Sequence, residues 1–334
     1  MQSEVEPPVV VTAGPPSPRW PEDRGRLATS DRPRRRRRRP VLPYLLVLPA
    51  ILAIFAYMAY PLYRMIVLTT HRTQLAGRFA PAPPPPKFVG LANFKAVLTD
   101  GLFWHVVINT VVFTVAAVGL SMFISLGVAL LMRRVSGWAR IVVTISLVFV
   151  WAVPTIVATQ VFAWMFDSDF GVVNFGIDKL PGVNFENHSW FSTPQQGWFV
   201  IGSLVLWGAI PFLALTIYAG LTQVPPELVE AATIDGANGL QVLRNVLIPV
   251  LKPVLIIATT LSAIWDFNVF NQIYAVRNAQ PEQSYWTIGI YAYEKAFGES
   301  DYNTGATISL ITMILLLFVM VFYVRQMIRI GEAD

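Results

Sequence analysis

The sequence predicts an all-α polytopic membrane protein with six transmembrane helices. The chain of 334 residues is 54% hydrophobic and only 13% charged, and its apolar residues gather in long stretches. Soluble domains carry about twice that charged fraction, so this much apolar surface cannot be hidden in one aqueous core. In hydrocarbon every backbone N–H and C=O must be paired within the segment, which selects helices for stretches of this length.

Taken in order, residues 1–39 contain Pro7, Pro8, Pro15, Pro16, Pro18 and Pro21, many charges and few large apolar side chains. Such a composition does not repay the entropy of ordering and predicts a disordered basic tail, with the membrane domain occupying 40–334. Six stretches then reach the length needed to cross about 30 Å of hydrocarbon: 42–63, 106–132, 141–166, 199–221, 254–274 and 306–325. The first continues too far and lacks the small-residue cleavage pattern of a signal peptide, so it is expected to be retained. The arginine run 34–39 lies directly before it, which places the N-terminus in the cytoplasm. An even number of spans returns the C-terminus to the same side. Arg133, Arg134, Arg140, Arg244, Lys252, Arg325 and Arg329 then fall inside as well.

The first outer segment carries Pro81, Pro83, Pro84, Pro85 and Pro86, which predict a stiff polyproline spacer. The second, 167–197, contains Asn187-His188-Ser189, formally a glycosylation acceptor but expected to be unmodified. With no cysteine anywhere, disulfides and thiol–metal sites are excluded, and no cofactor is expected.

A polar inner loop, 222–252, separates the fourth and fifth spans and reads as helix, turn, helix. Pro226 suits a first helical position, and Glu227 and Glu230 favour the positive end of the helix dipole. Gly236 supplies the left-handed residue that ends the first helix, and Asp235 is placed to cap the second. Ala231 and Ala232 permit close approach of a partner's backbone, and the carboxylate of Glu230 suits a partner's arginine. The loop predicts a docking knob.

Glu230-Ala231-Ala232, Asp235-Gly236-Ala237 and Val246-Leu247-Ile248-Pro249 resemble the EAA motif of permeases in binding-protein-dependent ABC importers. Phe88-Val89-Gly90-Leu91-Ala92-Asn93-Phe94, Trp207, Pro211-Phe212, Asp266-Phe267-Asn268-Val269-Phe270 and Ile273-Tyr274 resemble recurring stretches of its carbohydrate-permease branch. After Tyr274 that branch commonly has a threonine and a Gly-Gly-Pro turn, where this chain has Ala275-Val276-Arg277-Asn278-Ala279-Gln280-Pro281. The resemblance implies the type I ABC importer permease fold and a prokaryotic plasma-membrane location. It also implies a heterodimer with a second, homologous permease, two copies of a cytoplasmic ATPase, and an extracytoplasmic solute-binding protein delivering a di- or oligosaccharide. Glu230, Ala231, Ala232, Asp235, Gly236 and Ala237 would couple to the ATPase.

The chain has no G-x-x-x-x-G-K-[ST] and no Gly-Lys pair, so ATP hydrolysis is expected on another polypeptide and the chain is read as a transport subunit, not an enzyme. A membrane-embedded enzyme would need a nucleophile or metal constellation, yet His71, His105 and His188 lie in separate segments. A secondary transporter would be favoured by several ionisable groups within the spans, and Asp266 is the only acidic residue well inside one. Asp266, Ser262, Trp265 and Asn268 offer hydrogen-bonding groups and a ring face within about one and a half helical turns, the mixture a sugar requires. Trp207 and Phe212 join them through the family resemblance, and together these six form the expected substrate path.

Overall fold

The computed structural model describes residues 42–73 and 85–331. The predicted tail and most of the polyproline segment lie outside them. The chain divides into two units, Met1–Ile54 and Phe55–Asp334.

The helices are α1 (Leu42–Thr70), α2 (Ala92–Thr99), α3 (Gly101–Arg134), α4 (Gly137–Ala152), α5 (Thr155–Met165), α6 (Val172–Asp178), α7 (Pro194–Leu221), α8 (Pro226–Ile234), α9 (Gly239–Val242), α10 (Ile248–Phe267), α11 (Asn271–Val276), α12 (Ile288–Tyr293) and α13 (Tyr302–Gly331). A π-helical turn, Leu243–Leu247, joins α9 to α10, and another, Glu294–Gly298, follows α12. Among the described residues five continuous helical stretches are long and apolar enough to cross a membrane, and a sixth span is a bent pair.

That bent pair corrects the expectation of one span over 141–166. α4 and α5 meet at 98°, because Pro154 cannot donate to the helix ladder and holds Val153 in extended backbone. The fifth span is shifted as well. Its helix is continuous from Gly239 and stops at Phe267, not Tyr274; a break at 268–270 separates it from the short α11.

The tightest helix pair is α3 with α7. Thr110, Thr114, Ala117, Ser121, Ser125 and Ala129 are all buried along one face of α3, a stripe of small residues that lets two backbones approach where lipid offers no hydrophobic drive. Ser125 donates to the Ile210 carbonyl of α7 at 3.2 Å. Gly220 likewise lets α7 and α10 pack closely, since a Cβ there would lie 2.8 Å from the Leu251 side chain. By contrast α4 buries no side chain, and Trp138 and Phe149 are 77% and 70% exposed, as suits helices facing lipid or another subunit.

Two apolar cores lie along this pair. One collects Phe103, Val106, Ile201, Leu204, Ile273, Ile288 and Tyr291; the other, at the α8 end, collects Ala129, Ile217, Leu221, Val224, Val242, Leu247 and Leu251. The recurring stretch at 88–94 also has a structural reason. Val89 N–H donates to the Thr70 carbonyl, and the Asn93 side-chain amide donates to the carbonyls of Thr69 and His71, so that the stretch ties off the end of α1. His71 and Phe88 meet in a short antiparallel pairing.

Candidate functional site

The loop predicted to dock a partner is built from local rules. α8 begins with Pro226 in its first turn, Glu227 beside it. It ends in a Schellman motif: the Gly236 N–H bonds the Thr233 carbonyl at 3.0 Å and the Ala237 N–H bonds that of Ala232 at 2.9 Å. Gly236 takes φ +83°, the left-handed conformation expected of it. The second helix is not capped by Asp235, which instead closes the C-terminus of α8. Asn238 is the cap: its Oδ1 accepts from the N–H groups of Leu240 and Gln241, while the Gln241 side chain accepts from the Asn238 N–H at 2.7 Å. This reciprocal box satisfies donors that a tight turn would otherwise leave unpaired. Asp235, four residues before α9 begins, bonds neither of them.

The six residues expected at the docking surface separate into two groups. Glu230, Ala231, Asp235 and Gly236 are exposed. Ala232 and Ala237 are partly buried and pack, with Val229, against the chain's own second core. Neighbouring positions on a helix point about 100° apart, so Ala231 and Ala232 cannot share one face. The exposed face carries apolar residues that the polar character of the loop concealed: Ile234 is 85% exposed and Leu240 73%. The sequence signal for them was an apolar side chain directly before Asp235 and another directly after Gly239.

Basic side chains surround this end. Arg140 donates to the Met132 and Val135 carbonyls at the end of α3 and lies 5.8 Å over the Tyr218 ring. Arg134 approaches Gly239.

Within the spans, the elbow of α4 and α5 opens a cavity of about 300 Å³ against α7 and α10. Trp151, Trp207 and Trp265 contribute ring surface, and Asp266 and Gln272 contribute polar groups. Asp266 is buried at 5% exposure and accepts from the Ser262 hydroxyl at 3.2 Å. Phe212 contacts Trp265 edge-on at 5.2 Å and Trp151 face-on at 6.0 Å, bracing both rings from below the lining. Pro211 has no N–H for the Trp207 carbonyl one turn back, which leaves a backbone acceptor at the cavity wall.

Of the six residues expected on the substrate path, five gather here: Trp207, Trp265 and Asp266 in the wall, Ser262 and Phe212 behind it. Asn268 does not. It lies past the end of α10, donates to the Ile264 carbonyl at 3.0 Å, and lines a different cavity. Trp151 and Gln272 were missed. The signal that could have found Trp151 was Pro154, which turns the chain three residues later and swings α4 across the cavity mouth.

Residues 117–329 match the family described as binding-protein-dependent transport system inner membrane component. The chain is 35% identical over 248 residues to the diacetylchitobiose uptake system permease protein DasB of Streptomyces coelicolor, covering 74% of this chain and 76% of that one. It is 34% identical to the trehalose/maltose transport system permease protein MalF of Thermococcus litoralis, covering 72% and 80%. It is 31% identical to the sulfoquinovosyl glycerol transport system permease protein SmoG of Agrobacterium fabrum, covering 72% and 77%. Its fold is similar to that of a chain in the crystal structure of a bacterial ABC transporter involved in the import of the acidic polysaccharide alginate, with TM-score 0.72 at 17% identity over 86% of this chain and 96% of the other. The chain therefore belongs to the binding-protein-dependent transport system inner membrane components, the multi-pass permease subunits of ABC transporters.

Proposed function

We propose that this permease imports a sugar, a di- or oligosaccharide, driven by ATP hydrolysis on separate subunits. The observation that carries the reading is the cavity in the α4–α5 elbow. Three tryptophan faces suit the C–H surfaces of a sugar ring, while Asp266, Gln272 and the Trp207 carbonyl suit its hydroxyls. The named cargoes of the relatives are in keeping with this: diacetylchitobiose, trehalose and maltose, and sulfoquinovosyl glycerol.

Coupling falls to the loop 222–252 of the membrane domain 40–334. Glu230, Ala231, Asp235 and Gly236 offer an exposed, small-residue and acidic surface to a cytoplasmic ATPase, with Ile234 and Leu240 as apolar anchors. Ala232 and Ala237 act indirectly, seating that surface on the second core so that motion of the ATPase pulls on α7 and α10. The working assembly is this chain, a second homologous permease, two ATPase copies and an extracytoplasmic binding protein. The α8 end faces the cytoplasm, as does the N-terminus. The arginine run 34–39 and the gathering of Arg133, Arg134, Arg140 and Arg244 around that end support the orientation.

The deciding experiment is reconstitution of the complex in vesicles with its binding protein, screening mono-, di- and oligosaccharides for stimulation of ATP hydrolysis. Stimulation by one sugar names the cargo; ATPase activity indifferent to every sugar rejects the reading.

A further inference from the structure

A second and larger cavity, about 680 Å³, opens between the end of α1, the α12 region and the first half of α13, and shares no lining residue with the elbow cavity. Its wall is a run of aromatic rings. Phe270 meets Tyr293 edge-on at 5.2 Å, Tyr293 lies 5.0 Å from Phe297, and Phe297 meets Tyr302 at 5.6 Å. The π-helical turn over Glu294–Gly298 sets Tyr293 and Phe297 side by side, a local geometry often found where a helix serves a binding site. The turn is held by close packing on α13: a Cβ on Gly305 would lie 2.6 Å from that of Ala296.

Polar groups converge on the same space. Arg64, inside α1, lines it, and so does Asn268, whose amide N–H is committed to Ile264 while its Oδ1 has no partner among the described residues. Tyr293 carries a further hydroxyl, 3.4 Å from that of Tyr274. Ring faces for C–H surfaces, a five-donor guanidinium and an amide acceptor, within a volume in the range of small-molecule sites, are the chemistry of saccharide recognition.

We infer that this cavity is a second saccharide-binding site of the permease, separate from the elbow cavity, with Tyr293 and Phe297 as stacking platforms and Arg64 and Asn268 as hydroxyl or acid-group partners. The inference rests on the reading of the cargo as a sugar, and the test separates the two.

The chain has no cysteine, so single thiols report without background. Ser309→Cys labels this cavity and Thr155→Cys the elbow cavity. Each variant is assembled with its partners in vesicles, and maleimide modification is timed with and without maltose, trehalose or diacetylchitobiose. The expected result is that a sugar which protects Thr155→Cys also slows modification of Ser309→Cys by at least about threefold. Adding Tyr293→Leu to Ser309→Cys should raise the half-protecting concentration by about tenfold, the loss of one stacking contact. Protection at position 155 without protection at 309 overturns the second site and leaves the sugar reading standing. No protection at either position fails both. Labelling of Ser309→Cys that responds to phosphatidylglycerol content and not to sugar assigns the cavity to lipid and overturns the inference.

Discussion

The hydroxyl of Ser262 donates to Oδ2 of Asp266 at 3.2 Å, one helical turn along α10, with both side chains buried. Asp266 thus keeps its second carboxylate oxygen for the elbow cavity, whose wall it forms. Asp266→Ala is expected to lower sugar uptake by at least about tenfold, the loss of one hydrogen-bonding partner in a buried site, with the amount of protein in the membrane unchanged. Ser262→Ala should cost less. Radiolabelled uptake normalised to membrane content checks both, and wild-type uptake in Asp266→Ala would remove it from the path.

At the docking loop, Glu230→Ala and Gly236→Asp are expected to abolish transport while insertion persists. Glu230 is exposed, so its replacement is expected to remove the proposed ATPase contact without disturbing the fold. Gly236 sits at φ +83°, where any side chain is strained and would stand on the exposed surface proposed to meet the ATPase. Ile234→Ser should weaken retention of the ATPase on co-purification. Normal uptake together with undiminished ATPase recovery would sink the docking assignment.

The capping box yields a stability prediction. Asn238→Ala removes acceptors for two N–H groups and should destabilise the loop by about 1 kcal/mol, with Asn238→Ser recovering most of it. Hydrogen exchange at the Leu240 and Gln241 amides would register the change directly, and unaltered exchange would contradict it.

Beyond α11 the chain turns through Asn278 and Ala279, both at positive φ (49° and 61°). The Ala279 N–H bonds the Tyr274 carbonyl at 2.8 Å, so the turn is closed without glycine, at the expense of strain. Ala279→Gly is expected to raise thermal stability by about 1 kcal/mol. A lowered melting temperature would show that the turn is not under strain.

The same turn is braced by Arg277, which pairs with Glu282 and lies 4.2 Å over the Phe191 ring. The Arg277 guanidinium holds the Glu282 carboxyl below the usual carboxylate range. A depressed acid stabilises the fold above its unfolded-state pKa, near 4.5, and that contribution disappears as pH falls through the lower folded value. Because the Glu282 side chain is 51% exposed, the effect is expected to be about 0.5 kcal/mol or less. Melting temperatures of Glu282→Gln and the unmodified chain should therefore converge as pH falls below 4.5 and differ above it; a constant difference across that range would argue against the ion pair.

Much of this protein was legible in its sequence because the governing forces are local or set by the solvent. Apolar length dictated the spans, since each helix must satisfy its own backbone in lipid. The turn chemistry of Pro226 and Gly236 dictated where α8 begins and ends. Asp266 stood out because a lone carboxylate within a span is costly unless used. Tertiary structure alone decided the rest. The bend at Pro154 brings Trp151 to Trp207 and Trp265, a meeting that depends on the angle between two helices and not on spacing in either. The break after Phe267 sends Asn268 to a different cavity from Asp266, two residues before it. Packing on the second core turns Ala232 inward and leaves Ala231 outside. The sequence carries each of these residues, but which of them meet is decided by how the helices pack, as where the small-residue face of α3 seats against α7.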